Sequence, residues 1–291
     1  MERFKNGNGY YNLLTDEEID NKIHVVNFSG GRTSAYLLSK LLPIIPRDKL
    51  MVNFANTGRE DEATLEFVRD VEKDLALKFN WVEYDLDYET LDKKGKPSKS
   101  FKVVDFETAS RKGEPLQKSI ERMNFVPNLM VRSCTIECKI KVMERFRESL
   151  GVRKEDCIVY IGIRHDEPKR WSKNVGQFPE NFDQICYPLV DWKISKKDVI
   201  DYWANIEHDL KLKEPFGNCD LCYLKSAKKR IAILKENPQV AEFWSGIEEK
   251  HNEQFDRAFS VKQLLKIATG KTIADLSKER DYDIDCNCNV D

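Results

Sequence analysis

The stretch from Asn27 to Leu42, NFSGGRTSAYLLSKLL, carries the chain from a β-branched run, across two adjacent glycines, into an amphipathic helix. Residues 23–26 predict a short buried strand, and leucines at helical spacing predict the helix. A helix start leaves backbone N–H groups unpaired and carries a partial positive charge, so glycines there let a phosphate approach the main chain. The pattern therefore predicts either a phosphate cradle or a tight turn without a ligand.

The segments that follow repeat the same rhythm. Residues 49–58 predict a second strand, residues 63–77 an amphipathic helix, and residues 79–86 a third, alternating strand. A further buried strand is predicted at residues 157–163. Strands that alternate with helices are typical of a parallel sheet with crossover helices, in which ligands bind at the carboxyl ends of the strands. We therefore predict an α/β fold with a Rossmann-like parallel sheet and flanking helices.

Three regions differ in pattern along the chain. Residues 1–205 are predicted to form the nucleotide-binding α/β domain. Within it, periodicity fades over residues 87–128, a Lys-rich stretch that we interpret as a lid or insertion. Residues 206–291 predict a smaller, Cys-containing helical region. No internal repeat and no low-complexity tract occurs.

The charge balance excludes some classes of function. The 291 residues contain 48 Lys and Arg against 50 Asp and Glu, so no global field favours nucleic acid or a membrane. No apolar run approaches the roughly 20 residues that a bilayer needs, and the start of the chain lacks a signal-peptide core. We expect a soluble, cytoplasmic protein with no membrane partner, and a homodimer remains open.

Eight cysteines in such a chain favour metal binding or thiol chemistry over disulfides. Cys134 and Cys138 are spaced to share one face of a helix, and Cys219 and Cys222 form a C-x-x-C turn. If the fold brings the pairs together, four thiolates suit a [4Fe–4S] cluster or, alternatively, Zn²⁺. Two unrelated thiol pairs are the other interpretation. Two further cysteines, in apolar surroundings, are predicted to be core residues: Cys157 and Cys186.

Six segments occur in an order that resembles a known family. They are SGGRTS from Ser29, ANTGRE from Ala55, RSCTIECK from Arg132, GIRHDEPKRW from Gly162, YPLVDW from Tyr187 and GNCDLC from Gly217. Together they resemble the phosphoadenosine-phosphosulfate-reductase branch of the PP-loop ATP pyrophosphatase superfamily, also called adenine nucleotide alpha hydrolase-like. The resemblance spans roughly residues 23–230 and implies an adenine nucleotide, ATP or a related compound, as ligand.

The resemblance also implies roles for individual residues. Arg164 and Arg170 fall where that family places anion-binding basic residues, which gives them candidate catalytic roles. The implied nucleotide-binding residues are Ser29, Gly30, Gly31, Arg32, Thr33 and Ser34 in the first segment, and Asn56, Thr57, Gly58 and Glu60 in the second.

One position departs from the family pattern. The common signature has Asp where this chain has Thr33, so a carboxylate that helps to hold Mg²⁺ is missing, and a hydroxyl is a poorer ligand. Mg²⁺ is still the expected companion of ATP, with Asp166 or Glu167 as substitute ligands.

The last cysteines, Cys286 and Cys288, lie in an acidic stretch, DCNCNVD. Reductases of this branch carry a nucleophilic cysteine near the C-terminus, so the position resembles theirs and makes both residues catalytic candidates. The family's Glu-Cys-Gly-Leu-His motif is absent, and the neighbouring Asp283 and Asp285 would raise a thiol pKa. Completion of a metal site or relay of a persulfide are the alternatives.

The resemblance implies ATP-dependent adenylation with pyrophosphate release, coupled to sulfur transfer or reduction. A sulfur donor or a thioredoxin-like reductant would be the partner. Two alternatives stay open: a sulfonucleotide reductase that produces sulfite, and a non-catalytic nucleotide-binding subunit of a nucleic-acid-modifying assembly. A basic rim formed by Lys225–Arg230 with Lys139, Lys141 and the lysines of the predicted lid would suit a nucleic-acid substrate, whereas a solvated helix face is the plainer interpretation.

Overall fold

The computed structural model describes residues 20–171, 184–213 and 215–270. Within them, six strands form one sheet in the order β4-β3-β2-β1-β5-β6. All neighbouring strands are parallel except β3 and β4, which pair antiparallel. The strands are β1 (Ile23–Phe28), β2 (Leu50–Asn56), β3 (Phe79–Leu91), β4 (Pro97–Val104), β5 (Cys157–Tyr160) and β6 (Gln184–Cys186). The predicted α/β fold is confirmed, with one antiparallel strand added at the edge.

Helices connect the parallel strands and continue beyond the sheet. The longer ones are α1 (Arg32–Leu41), α2 (Glu62–Asp74), α3 (Glu114–Met123), α4 (Lys141–Ser149), α5 (Lys196–Trp203), α6 (Ala227–Glu236), α7 (Val240–His251) and α8 (Val261–Ala268). Single turns occur at Arg47–Lys49, Ser133–Thr135, Lys154–Asp156, Pro168–Trp171 and Pro188–Asp191, and a π-helical turn at Ile136–Ile140. In the described residues after α5, the three helices α6, α7 and α8 agree with the predicted helical C-terminal region. None of the helices in the described ranges is long and apolar enough to span a membrane.

The register of the sheet brings the strand ends together. Phe28 of β1 pairs with Phe54 of β2, and Val26 of β1 pairs with Tyr160 of β5. Because these three strands are parallel and in close register, the turns that follow them meet at one edge of the sheet. This edge positions the candidate site.

The two larger of four hydrophobic clusters in the described residues join the elements of the fold. The first lies between the sheet and α1, α2 and α5, and it includes Phe54, Leu65 and Trp203. The second joins β3 and α3 to the C-terminal helices through residues such as Tyr84 and Trp244. The C-terminal helices therefore pack directly on the α/β body. The predicted boundary near residue 205 stays a prediction.

The Lys-rich segment 87–128 has regular structure. The strand predicted at residues 79–86 continues to residue 91 and forms a hairpin with β4, and Arg122 of α3 donates to Pro97 O and pairs with Asp92. The last four residues of β3 are exposed, and the alternation of apolar and polar types does not continue beyond Tyr88. That exposure is why the pattern did not predict this half of the strand. Its role as a lid stays a prediction.

Candidate functional site

The two glycines after β1 have different backbone conformations. Gly30 has φ +79°, and a Cβ there would lie 2.7 Å from Thr64 Cγ2. Only glycine meets both requirements. Gly31 has φ −111° and ψ 163°, an extended conformation that any residue adopts. The backbone conformation thus requires the first glycine and leaves the second without a conformational reason.

Two serines hold the glycine turn, defined here as Ser29–Ser34, in shape. The buried Ser34 hydroxyl donates to Gly31 O at 2.8 Å. The Ser29 N–H and hydroxyl both donate to Ser34 Oγ, at 3.3 and 3.1 Å. Both serine side chains therefore form hydrogen bonds within the turn. The backbone N–H groups remain as the main donors that the turn offers to a ligand.

The start of α1 has neither of the side-chain features that usually offset the unpaired N–H groups and the positive charge of a helix N-terminus. No side chain caps Gly31, and the first turn contains no acidic residue. Among helices of eight or more residues in the described ranges, each other one has a capping side chain or a first-turn acid. Arg32 points away, with Nε and Nη2 donating to Asp209 at 2.6 and 2.7 Å. The positive end of α1 thus lies uncapped at the strand-end edge.

Arg164 reaches the glycine turn from the segment after β5. Its Nη1 donates to Thr33 Oγ1 at 3.1 Å and its Nε to Asp166 Oδ1 at 3.0 Å, and the residue is 6% exposed. Arg170 pairs with Glu167, whose other oxygen accepts from Arg164 N at 2.9 Å. Two cations and two carboxylates therefore lie beside the turn, and both predicted arginines belong to this group.

Asn56, at the end of β2, is committed to a buried network. Its Nδ2 donates to Glu83 Oε1 at 2.6 Å and to Ser110 O at 2.9 Å, and its Oδ1 accepts from Gly58 N at 3.0 Å. Glu83, 2% exposed, also accepts from Ser110 N and Oγ. Asn56 thus joins β2, β3 and the turn before α3, and both hydrogens of its amide are donated within the protein.

Glu60 stabilises the turn after β2 through its carboxylate. Its Oε2 accepts from both Thr57 N and Thr57 Oγ1 at 2.7 Å. Its Oε1 lies 3.1 Å from Lys139 Nζ, and its side chain is fully buried. Lys139 comes from the segment that carries Cys134 and Cys138, so Glu60 ties this segment to the end of β2.

The C-x-x-C segment docks on the turn after β2. Two backbone hydrogen bonds join them, one from Asp61 N to Asn218 O at 2.8 Å and one from Asp220 N to Arg59 O at 2.9 Å, and together they form an antiparallel bridge between Glu60 and Cys219. The Arg59 and Asp220 side chains form an ion pair, and Trp244 Nε1 donates to Asp220 Oδ1 at 2.9 Å. Burial raises the pKa of the Asp220 carboxyl despite the nearby guanidinium. Segments far apart in sequence therefore meet at one edge.

All four candidate metal ligands lie in or against the second hydrophobic cluster. Cys134 Sγ lies 3.2 Å from Tyr223 OH, and burial raises the pKa of the Cys138 thiol. The pKa of the Cys219 thiol is raised as well, mainly by a hydrogen bond with Cys222 and to a lesser extent by burial. In the described ranges, no three His, Cys, Asp or Glu side chains are placed to hold a metal ion. The donor set suits a soft metal, and the assignment of these four ligands stays a prediction.

The remaining cysteines divide into two groups. Cys157 and Cys186 are fully buried, which confirms them as core residues. Cys286 and Cys288 lie outside the described residues, so their predicted catalytic role stays a prediction.

Three lysines of the predicted basic rim have partners within the protein. Lys139 pairs with Glu60, Lys141 with Glu144, and Lys225 Nζ bonds to Cys219 O. Arg230 is buried and pairs with Asp256. These contacts favour a structural role for the rim.

Sequence reasoning missed Glu83, Ser110 and Asn218. Glu83 interrupts the apolar side of β3, and Asn218 directly precedes a cysteine. A charged residue inside a buried strand was the one available signal for Glu83. Nothing in the local pattern indicated the partners of Ser110 or Asn218.

The chain is similar to several known proteins. The family model described as phosphoadenosine phosphosulfate reductase domain matches residues 23–214. An uncharacterized nin region protein, ORF290, of Escherichia phage lambda is 29% identical over 210 residues, which cover 71% of this chain and 68% of that protein. The uncharacterized protein MJ0066 of Methanocaldococcus jannaschii is 23% identical over 245 residues, 78% of this chain and 42% of that protein.

A solved structure is also similar: the U34-tRNA thiolase NcsA from Methanococcus maripaludis with its [4Fe-4S] cluster. It is 15% identical with a TM-score of 0.40, and the match covers 88% of this chain and 74% of that one. Because the family model spans well over half of the residues, the chain belongs to the phosphoadenosine phosphosulfate reductase domain family.

Proposed function

We propose that this protein binds ATP at the glycine turn, adenylylates an acceptor with release of pyrophosphate, and couples this step to sulfur transfer or reduction. The observation that carries the proposal is the start of α1, which has neither a capping side chain nor a first-turn acid. The amides there have the polarity that a polyphosphate requires. Membership of the family supports a sulfur-related reaction.

Gly31 and the arginines would hold the ligand. With no side chain at Gly31, a phosphate approaches the main chain closely. Arg164 lies at Thr33 and Arg170 is linked to it through Glu167, so cationic groups flank the position of the phosphates. Such preorganised donors stabilise the charge that develops on a transferred phosphoryl group.

The proposed reaction has two steps. An acceptor oxygen attacks the α-phosphorus and loses its proton to water. The bond from phosphorus to the bridging oxygen breaks, and its electron pair leaves with pyrophosphate. A sulfur nucleophile then displaces AMP from the activated acceptor. Mg²⁺, a companion of ATP, remains part of the proposal.

Affinity for ATP tests the binding site. Gly31→Ala places a methyl group where the phosphate would approach, and we expect roughly ten-fold weaker binding or more by calorimetry. Gly246→Ala is the matched control, because a Cβ there meets nothing within 4 Å. Equal affinities for ATP in the wild type and Gly31→Ala would contradict the assignment. Pyrophosphate release, measured with candidate acceptors, tests the chemistry.

The four cysteines are proposed to hold a [4Fe–4S] cluster, with Zn²⁺ as the alternative. Their common hydrophobic cluster and soft donors support this. A bound cluster would supply electrons or a site for sulfide. Purification without oxygen, followed by iron, sulfide and zinc analysis, tests the proposal, and a colourless protein with stoichiometric zinc would exclude the cluster.

Reduction of an already activated sulfonucleotide is the second candidate, and the family match favours it. This reaction needs no ATP. Sulfite formed from phosphoadenylyl sulfate with thioredoxin would establish it, and unchanged turnover after replacement of Cys286 and Cys288 by Ser would remove both residues from either mechanism. Tight ATP binding without turnover would instead support a non-catalytic subunit.

A further inference from the structure

Asn218 contacts three of the segments that form the site. It is fully buried and directly precedes Cys219. Its Nδ2 donates to Ser29 O at 2.8 Å, and its own carbonyl accepts from Asp61 N at 2.8 Å. A single residue thus contacts the glycine turn and the turn after β2 while it is covalently joined to the first cysteine of the C-x-x-C pair.

The bond to Ser29 has a consequence for Gly30. The carbonyl of Ser29 and the N–H of Gly30 belong to one planar trans peptide, so they point in opposite directions. By holding the carbonyl, Asn218 orients the Gly30 N–H. The hydrogen bonds of the described residues include none donated by this amide. The Asn218 carboxamide therefore preorganises a donor of the proposed phosphate cradle.

The position of Asn218 has an energetic cost. Its Oδ1 is buried and has no hydrogen-bond partner among the residues that the structure describes. An unsatisfied buried acceptor destabilises the folded protein, and this loss offsets the gain from the bond between Asn218 Nδ2 and Ser29 O. Stability alone does not account for an asparagine here.

A displacement of Asn218 also displaces the adjoining Cys219. Cys219 is fixed by its bridge to Glu60, by the contact between its thiol and Cys222, and by Lys225 Nζ on its carbonyl. One peptide bond joins residues 218 and 219. A movement of the glycine turn that displaces Asn218 therefore displaces this segment too.

We propose that Asn218 is a positioning residue that couples the nucleotide-binding turn to the Cys219–Cys222 segment. The inference rests on the proposed nucleotide site. Coupling between two sites is reciprocal, so a nucleotide that orders the glycine turn orders the cysteine segment as well.

Hydrogen–deuterium exchange on the full chain, purified without oxygen, tests the coupling. In the wild type, saturating ATP should slow amide exchange about five-fold or more in both residues 29–35 and residues 217–222. In Asn218→Ala, ATP should bind roughly ten-fold more weakly and, at saturation, slow exchange in residues 29–35 alone. Asn205→Ala removes an exposed carboxamide bond to Asp201 O and should behave as the wild type.

The outcomes separate this inference from the proposed function. Absence of ATP binding in the wild type overturns both. If the wild type binds ATP but residues 217–222 gain no protection, or if Asn218→Ala keeps the full protection there, the coupling alone is wrong. Asn218→Leu, which preserves side-chain volume, serves where Asn218→Ala fails to fold, and it has the same expected result.

Discussion

The turns after β1 and after β2 lie at the same edge of the sheet, where two neighbouring parallel strands end. Their polar groups differ in whether they are hydrogen-bonded within the protein. The first leaves the start of α1 uncapped. The second bonds Asn56 and Thr57 to buried carboxylates, and Asp61 caps α2 by accepting from Ala63 N at 3.0 Å. Both segments resemble nucleotide-binding motifs. The first leaves the amides at the start of α1 uncapped, whereas the side chains of the second form a scaffold of internal hydrogen bonds, and its nucleotide-binding role stays a prediction. Resemblance alone does not separate these roles.

The largest effect is expected at the scaffold. Asn56→Ala removes two donors and one acceptor from groups that stay buried, and it deprives Glu83 of a partner. We expect a loss of about 3–5 kcal/mol in the free energy of unfolding, measured with urea. Asn205→Ala should change it little. A stable Asn56→Ala variant with weakened ATP binding would reverse the roles assigned to the two turns.

A smaller loss is expected at Gly30. Gly30→Ala combines a left-handed conformation with an overlap on Thr64, so we expect about 2–4 kcal/mol of destabilisation. Gly95 has a similar φ, +71°, with no neighbour within 4 Å. Gly95→Ala therefore measures the conformational cost alone in the same urea experiment. Equal losses in the two variants would show that the contact with Thr64 is not tight.

The helix cap gives a third test. Asp61→Ala removes the bond to Ala63 N, so the start of α2 loses its capping side chain and keeps Glu62 as its first-turn acid. We expect a loss of about 1 kcal/mol in unfolding free energy and unchanged ATP affinity. Weaker ATP binding, as seen by calorimetry, would indicate that the capped turn also contacts the ligand.

The smallest effect lies outside both turns and provides a baseline. The pKa of His208 is raised by its hydrogen bond to Asp74 and by that residue's charge. The stabilisation from the charged form is complete below the unfolded-state value of about 6.5 and is lost as the pH rises through the folded-state pKa. From about pH 6 to about pH 8, the melting temperature should therefore fall slightly more in the wild type than in Asp74→Asn. A steeper fall in Asp74→Asn would contradict the pairing.

Much of the fold followed from local patterns. Buried β-branched runs and helical leucine spacing predicted β1, α1 and the parallel sheet, because each element needs one apolar face. The second half of β3 was missed because its residues are exposed and gain their order from β4. The π-helical turn at Ile136–Ile140 was missed too, since its spacing resembles that of an ordinary helix.

The candidate site also has one part that local residue order predicted and another that only the folded chain revealed. Local residue order was sufficient to predict a glycine turn at a helix start, since Gly30 and the amides of α1 act within a few residues of each other. The assignment of Asn56, Glu60 and Asn218 depended on the folded chain, because their partners lie as far as 189 positions away. Hydrogen bonds act over about 3 Å, and a linear pattern contains no record of which distant groups come that close.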